Sequence, residues 1–161
     1  MNMNIEIICI GKLKEKYWRD AVAEYAKRLS RYCSFSVTEL KEARLPANAS
    51  AADEEAVKEA EGRAVLEALR EHSFVIALDV QGKQYDSVSL AALLEDHMNH
   101  GITRMVFVIG GSLGLSGEVL RRADLRLSFS KMTFPHQLMR VILSEQIYRC
   151  FKIIRHETYH K

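Results

Sequence analysis

Two short runs constrain this chain most: Phe74 to Val80 (FVIALDV) and Met105 to Ile109 (MVFVI). They have almost no polar alternation. A strand with one wet face alternates, so runs like these suit strands buried on both faces, as in a parallel sheet covered by helices. Ile5 to Ile10 (IEIICI) reads as a further strand, Phe35 to Leu40 as an alternating one, and Leu125 to Phe129 as a weaker fifth. Helical patterns fall between them. Trp18, Ala21, Val22, Tyr25 and Leu29 recur at helical spacing and predict a helix to about Arg31. Residues 41–50 form a loop around Pro46.

Ser50, with Asp53 three residues on, resembles a capping box and opens a helix to about Arg70. Asp53, Glu54, Glu55, Glu59 and Glu61 predict a solvated acidic face on it, and Gly62 is a weak point. Gly82 is read as a turn, Leu90 to Met98 as a helix, and Glu118 to Arg122 as a short helix. After Pro135, Met139, Ile142, Leu143, Ile147, Cys150, Phe151 and Ile154 form one broad helical stripe. Strands alternating with helices imply an α/β fold: a single domain, residues 1–161, with a mainly parallel sheet and flanking helices.

The chain has 161 residues, 48% of them apolar, which suffices for one sizeable core. Cys9 and Cys150 sit in apolar runs and read as small core residues, and with Cys33 they form neither a CxxC pair nor an even disulfide set. No leader pattern or membrane-length apolar run is present, so a soluble, cytoplasmic protein is expected.

The formal net charge of +2 argues against a generally basic nucleic-acid binder, but the charge is unevenly spread. Residues 125–161 carry 7 basic and 2 acidic side chains, whereas residues 36–124 carry 9 and 15. Lys131, Arg140, Arg149, Lys152, Arg155 and Lys161 lie in that last segment with Tyr148, Tyr159, His136, His156 and His160. Cations contact phosphate, and Tyr and His stack on unpaired bases. A solvated helix face with a disordered tail explains the same composition.

Two loops follow strands, where open α/β sheets place ligands. Gly110 to Gly117 (GGSLGLSG) fits neither GxGxxG nor a phosphate loop, which disfavours a nicotinamide oxidoreductase. A plain turn is the simpler reading, and what survives is a loop able to admit a ligand without clamping a pyrophosphate. Ser128 to His136 (SFSKMTFPH) mixes apolar side chains, hydroxyls and backbone donors, which suits an adenine-like ligand. His156 to His160 (HETYH) matches HExxH, but the sequence given ends one residue later, so no third ligand follows and no metal site is expected.

GKLKEKYW (Gly11 to Trp18), LDVQGK (Leu78 to Lys83), FVIGGSLGL (Phe107 to Leu115), LSFSKMTFPHQLMRVILSEQIYRCFKI (Leu127 to Ile153) and the terminal YHK resemble the ribosomal RNA large subunit methyltransferase H family, of the SPOUT class. The resemblance spans Ile5 to Lys161 and implies a fold with a C-terminal trefoil knot, which topology rules alone disfavour. It implies S-adenosylmethionine bound in a bent conformation, a homodimer with cofactor pockets near the interface, no metal, and methylation of N3 of a pseudouridine in 23S ribosomal RNA on assembled ribosomes.

By position, the resemblance puts the cofactor at Leu78, Gly110, Phe129, Ser130, Lys131, Met132, Thr133 and Phe134. It maps a functional tail, residues 155–161, with Tyr159, His160 and Lys161 at its end, and places Arg140 with His136 beside the pocket. Lys161 stands where some members carry Arg, so a bidentate phosphate contact is lost. The expected roles are His160 as base, Tyr159 orienting the nucleobase, and Arg140 or Lys161 stabilising charge. The alternative from a different class is a non-catalytic RNA-binding module using the basic C-terminal segment.

Overall fold

The computed structural model describes residues 2–161. Five strands, β1 (Asn4–Ile10), β2 (Ser34–Leu40), β3 (Phe74–Gln84), β4 (Arg104–Ile109) and β5 (Leu125–Ser128), alternate with five helices, α1 (Lys16–Leu29), α2 (Ala51–Ala68), α3 (Ser87–Asn99), α4 (Gly117–Arg122) and α5 (His136–Ile154). The strand order is β2-β1-β4-β3-β5, and every neighbouring pair is parallel. The α/β expectation therefore holds.

Successive side chains of a strand point to opposite faces, and here both faces are dry. Ile5, Ile7 and Cys9 of β1, Ile76 of β3, and Met105, Phe107 and Ile109 of β4 share one core with α3 and α5 residues. Ile8, Ile10, Val75, Val106 and Val108 face the other way and pack on Val65 of α2 and Val119 of α4. The missing alternation in FVIALDV and MVFVI is the trace of these two cores.

The capping box at α2 is present. Asp53 N donates to Ser50 Oγ at 3.1 Å, and Ser50 N donates to Asp53 Oδ2 at 2.9 Å. The acidic face needs one correction: Glu61 is buried, at 5% exposure, because α2 turns it toward the 41–50 loop, where its carboxylate accepts the Ala43 N–H at 3.0 Å. Gly62 is no defect. An added Cβ there would lie 2.2 Å from Ser116 Oγ, so the missing side chain lets α2 reach the start of α4.

β3 runs past the expected end at Val80. Leu78 and Lys83 both pair with Leu127, so residues 79–82 bulge out and the strand resumes beside β5. Gly82 permits this, since a Cβ would meet Arg126 O at 2.6 Å. The bulge stands at the carboxyl edge of the sheet. α3 begins before the expected Leu90, because Asp86 caps it by accepting from Ser89 N at 2.7 Å.

Candidate functional site

A cavity of about 320 Å³ opens where β3, β4 and β5 end, a size and position usual for small-molecule sites. Leu78, Asp79 and Val80 come from β3 where it enters its bulge, Gly110 to Leu115 leave β4, and Phe129, Ser130, Met132, Thr133 and Phe134 leave β5. His136 and Met139, from the first turn of α5, close one wall. Seven of the eight residues expected around a cofactor line this cavity. Lys131 does not, and lines an adjoining hollow with Val80, Gln81, Gly82 and Gln84.

Lysine and arginine are absent from the lining, and Asp79 is its one carboxylate. Asp79 Oδ1 accepts the Gln81 N–H at 3.0 Å, which shapes the bulge. Burial, then Arg140, pushes His136 below the usual histidine range, and its buried Nδ1 has no hydrogen-bond partner within the chain. The wall is thus apolar side chains, backbone amides and carbonyls, hydroxyls, a neutral imidazole and the Asp79 carboxylate. Such a surface accommodates a cationic ligand without a fixed like charge opposing it. Asp79, Ile109, Leu127 and Met139 were not singled out from sequence, although Asp79 directly follows Leu78 at a strand end, where ligands gather.

The tail residues sit elsewhere. α5 ends at Ile154, and residues 155–161 fold back on α5 and on Tyr32, in the turn after α1. The Tyr32 hydroxyl and Lys152 Nζ both donate to Glu157 Oε2, at 2.8 and 2.9 Å. The Tyr159 ring meets Tyr148 edge-on at 4.9 Å, its hydroxyl reaches Glu145 at 3.4 Å, and Arg149 covers its face at 4.7 Å. Burial raises the Tyr159 pKa above the usual tyrosine range, so the hydroxyl stays a donor. His160 Nδ1 lies 3.0 Å from Arg149 Nη1 and lines a second hollow with Asp86, Ser87, Ser128, Phe129 and Gln146. Leu127 and Phe129 border both spaces. Lys161 is exposed. His156 and His160 lie beyond the helix, so the helical spacing that HExxH requires is missing. No group of metal-ligating side chains occurs among the described residues.

Arg140 is the most deeply committed residue of the set. It is 1% exposed, and its guanidinium donates to Glu39 Oε2 at 2.8 Å and to the carbonyls of Ile10 and Gly11 at 2.9 Å each. It clamps the ends of β1 and β2 to α5 and does not line the cavity. Glu39, its partner, carries no sequence signal of that role.

The chain matches, over residues 3–160, a family model described as "Predicted SPOUT methyltransferase". It is 57% identical to a ribosomal RNA large subunit methyltransferase H of Clostridium novyi, 55% to one of Bifidobacterium animalis subsp. lactis and 51% to one of Clostridium acetobutylicum. Each alignment covers 99% of this chain and 100% of the relative. Among the described residues no helix is long and apolar enough to cross a membrane.

Proposed function

The chain belongs to the SPOUT methyltransferase family, and on that premise we propose that it transfers a methyl group from S-adenosylmethionine to N3 of a pseudouridine in 23S ribosomal RNA. The observation that carries this is the cavity at the ends of β3, β4 and β5. It is lined by Leu78, Gly110, Phe129, Ser130, Met132, Thr133 and Phe134, and no lysine or arginine lines it. A sulfonium cofactor supplies, when bound, a methyl group open to direct attack, with no need for a metal or a covalent enzyme intermediate.

The chain's own residues bind, orient and manage one proton. Phe129, Met132, Phe134 and Leu115 offer an apolar bed for an adenine, and the amides and carbonyls of the glycine loop offer polar contacts. Asp79 supplies negative charge beside a cationic ligand. The nucleobase must lose its N3 proton as the new bond forms, and the flanking carbonyls then carry developing negative charge. In this reading His160 accepts the proton, Tyr159 orients the base and Lys161 balances the charge. Arg140 serves by holding the first turn of α5, not by touching substrate.

In the chain as folded, His160 faces the neighbouring hollow and not the cavity. A homodimer in which tails and cavities meet at the interface resolves this, with the knotted C-terminal path of the SPOUT class and a cytoplasmic site of action on assembled ribosomes. The test is incubation with methyl-labelled S-adenosylmethionine and ribosomes lacking the modification. Label in 23S RNA supports the reading. Cofactor binding without transfer to any RNA, together with retained RNA binding, favours the non-catalytic alternative.

A further inference from the structure

The charge distribution looks different once ion pairs are placed. Three cations of the basic C-terminal segment are neutralised within the chain: Arg140 by Glu39 at 2.8 Å, Arg149 by Glu145 at 2.9 Å and Lys152 by Glu157 at 2.9 Å. Lys12, Lys14, Lys41 and Arg44 are exposed and have no acidic partner among the described residues. Lys12 and Lys14 follow β1, and Lys41 and Arg44 follow β2. All strands are parallel, so these residues share the carboxyl edge of the sheet with the cavity, and β1 lies directly beside β4.

The lysines are displayed by a braced loop. Leu13, between them, is buried at 8% exposure, and its N–H donates to Glu39 Oε2 at 2.9 Å. Arg19 Nη1 donates to the carbonyls of Leu13 and Lys14, at 3.0 and 2.6 Å. The backbone is therefore fixed, and the flanking lysines point outward without internal ties. Tyr17, 62% exposed, stands one turn further on, beside the Trp18 ring at 4.9 Å. Glu15 and Glu42 are the carboxylates on this rim that no ion pair holds, and the cations outnumber them.

We propose that this rim, Lys12, Lys14, Lys41 and Arg44, docks the phosphodiester backbone of the RNA and so orients the target nucleotide over the cavity. The proposal rests on the RNA substrate of the preceding subsection. Phosphate contacts of this kind fix register and carry no sequence information. They release counterions, so each one steepens the dependence of binding on salt.

The test compares the charge-reversal pair K12E/K14E with R63E/R121E, an equal charge change on the exposed outer surface of α2 and α4. Binding to vacant ribosomes is measured by co-sedimentation across a salt series, and the KM for ribosomes alongside it. Thermal denaturation and calorimetric titration with S-adenosylmethionine show that each variant is folded and cofactor-competent. The expected result for K12E/K14E is affinity lower by about tenfold, with kcat held and a salt slope shallower by about 1 to 2. R63E/R121E should match the wild type. Equal ribosome affinity for K12E/K14E and wild type, or equal losses in both variants, overturns the proposal. Absence of methyl transfer by the wild type overturns the methyltransferase reading instead, and co-sedimentation still decides the rim.

Discussion

The guanidinium of Arg140 and the carboxylate of Glu39, 101 residues apart, meet at 2.8 Å beneath the carboxyl edge of the sheet. The same carboxylate oxygen accepts the Leu13 N–H, and the same guanidinium takes the carbonyls of Ile10 and Gly11. One ion pair thus joins the cavity wall on α5 to the lysine-bearing loop after β1. Arg140→Met removes the guanidinium from the Ile10 and Gly11 carbonyls and leaves Glu39 with the Leu13 N–H but no counter-charge. Such losses cost about 3–5 kcal/mol when both partners are buried. Glu39 keeps 33% side-chain exposure, so about 3 kcal/mol is expected in urea denaturation. Arg140→Lys should restore part of the stability, and kcat per folded molecule of Arg140→Met should stay near wild type, which a charge-stabilising catalytic role would not allow.

Gly62 poses a contest between local and tertiary effects. Helix propensity favours Ala over Gly by about 1 kcal/mol. The added Cβ, however, would stand 2.2 Å from Ser116 Oγ and 2.9 Å from its Cβ. Overpacking of this kind costs about 1–3 kcal/mol. Gly62→Ala is therefore expected to lower the denaturation midpoint, with partial recovery in G62A/S116G, although that pair loses the α4 N-cap bond from Val119 N to Ser116 Oγ.

That contest shows what the sequence makes legible. The apolar pattern reveals all five strands and five helices, since FVIALDV and MVFVI suit strands buried on both faces and the Ser50 capping box marks its helix start, although Val80, at the end of the first run, is 44% exposed. It missed the true roles of Gly62 and Glu61, since close approach and burial depend on what lies across the contact. The β3 bulge was hidden because Leu78 and Lys83 share one partner only once β5 is placed. At the site, strand ends pointed to the two loops, and family resemblance supplied Leu78. The charge count of the C-terminal segment does not tell which cations are free: Arg149 and Lys152 pair with Glu145 and Glu157 inside it, and Arg140 pairs with Glu39, 101 residues away.

His136 gives the fold a pH dependence. Burial, and then Arg140, holds its pKa below the usual histidine value of 6.5. The unfolded chain therefore takes up a proton there at higher pH than the folded chain does. The stability it contributes is complete above about pH 6.5 and is lost as pH falls through that value toward the lowered one. His136→Gln should flatten this part of the stability profile, measured by urea denaturation between pH 7.5 and 5. An unchanged profile would show that His136 protonates freely in the folded chain.

Asp79 is the single carboxylate on the cavity wall. A sulfonium carries one more positive charge than the thioether left after methyl transfer. Asp79→Asn should therefore weaken S-adenosylmethionine more than S-adenosylhomocysteine, by severalfold, since a unit charge a few ångströms away is worth about 1–4 kcal/mol between water and a protein surface. Calorimetric titration of both ligands reads the ratio directly. Equal losses for the two would show that Asp79 acts only through its bond to Gln81 N.

The cysteines test the core on the α3 and α5 side of the sheet. Burial pushes the thiols of Cys9 and Cys150 up to about 11 and about 12, and Cys33 to about 12. Reaction needs a thiolate. At pH 8 without denaturant, Cys9 and Cys150 should resist alkylation over hours, and all three should react promptly in urea, as read by intact-mass spectrometry.

The most direct measurement is nucleoside mass spectrometry of 23S RNA after single turnover with isotopically methylated S-adenosylmethionine and ribosomes lacking the modification. A pseudouridine N3-methyltransferase yields one labelled methyl group per 23S RNA, recovered as N3-methylpseudouridine and lost when His160, Tyr159 and Lys161 are removed together. Label on another nucleoside, or none in RNA from a protein that binds the cofactor, would contradict it.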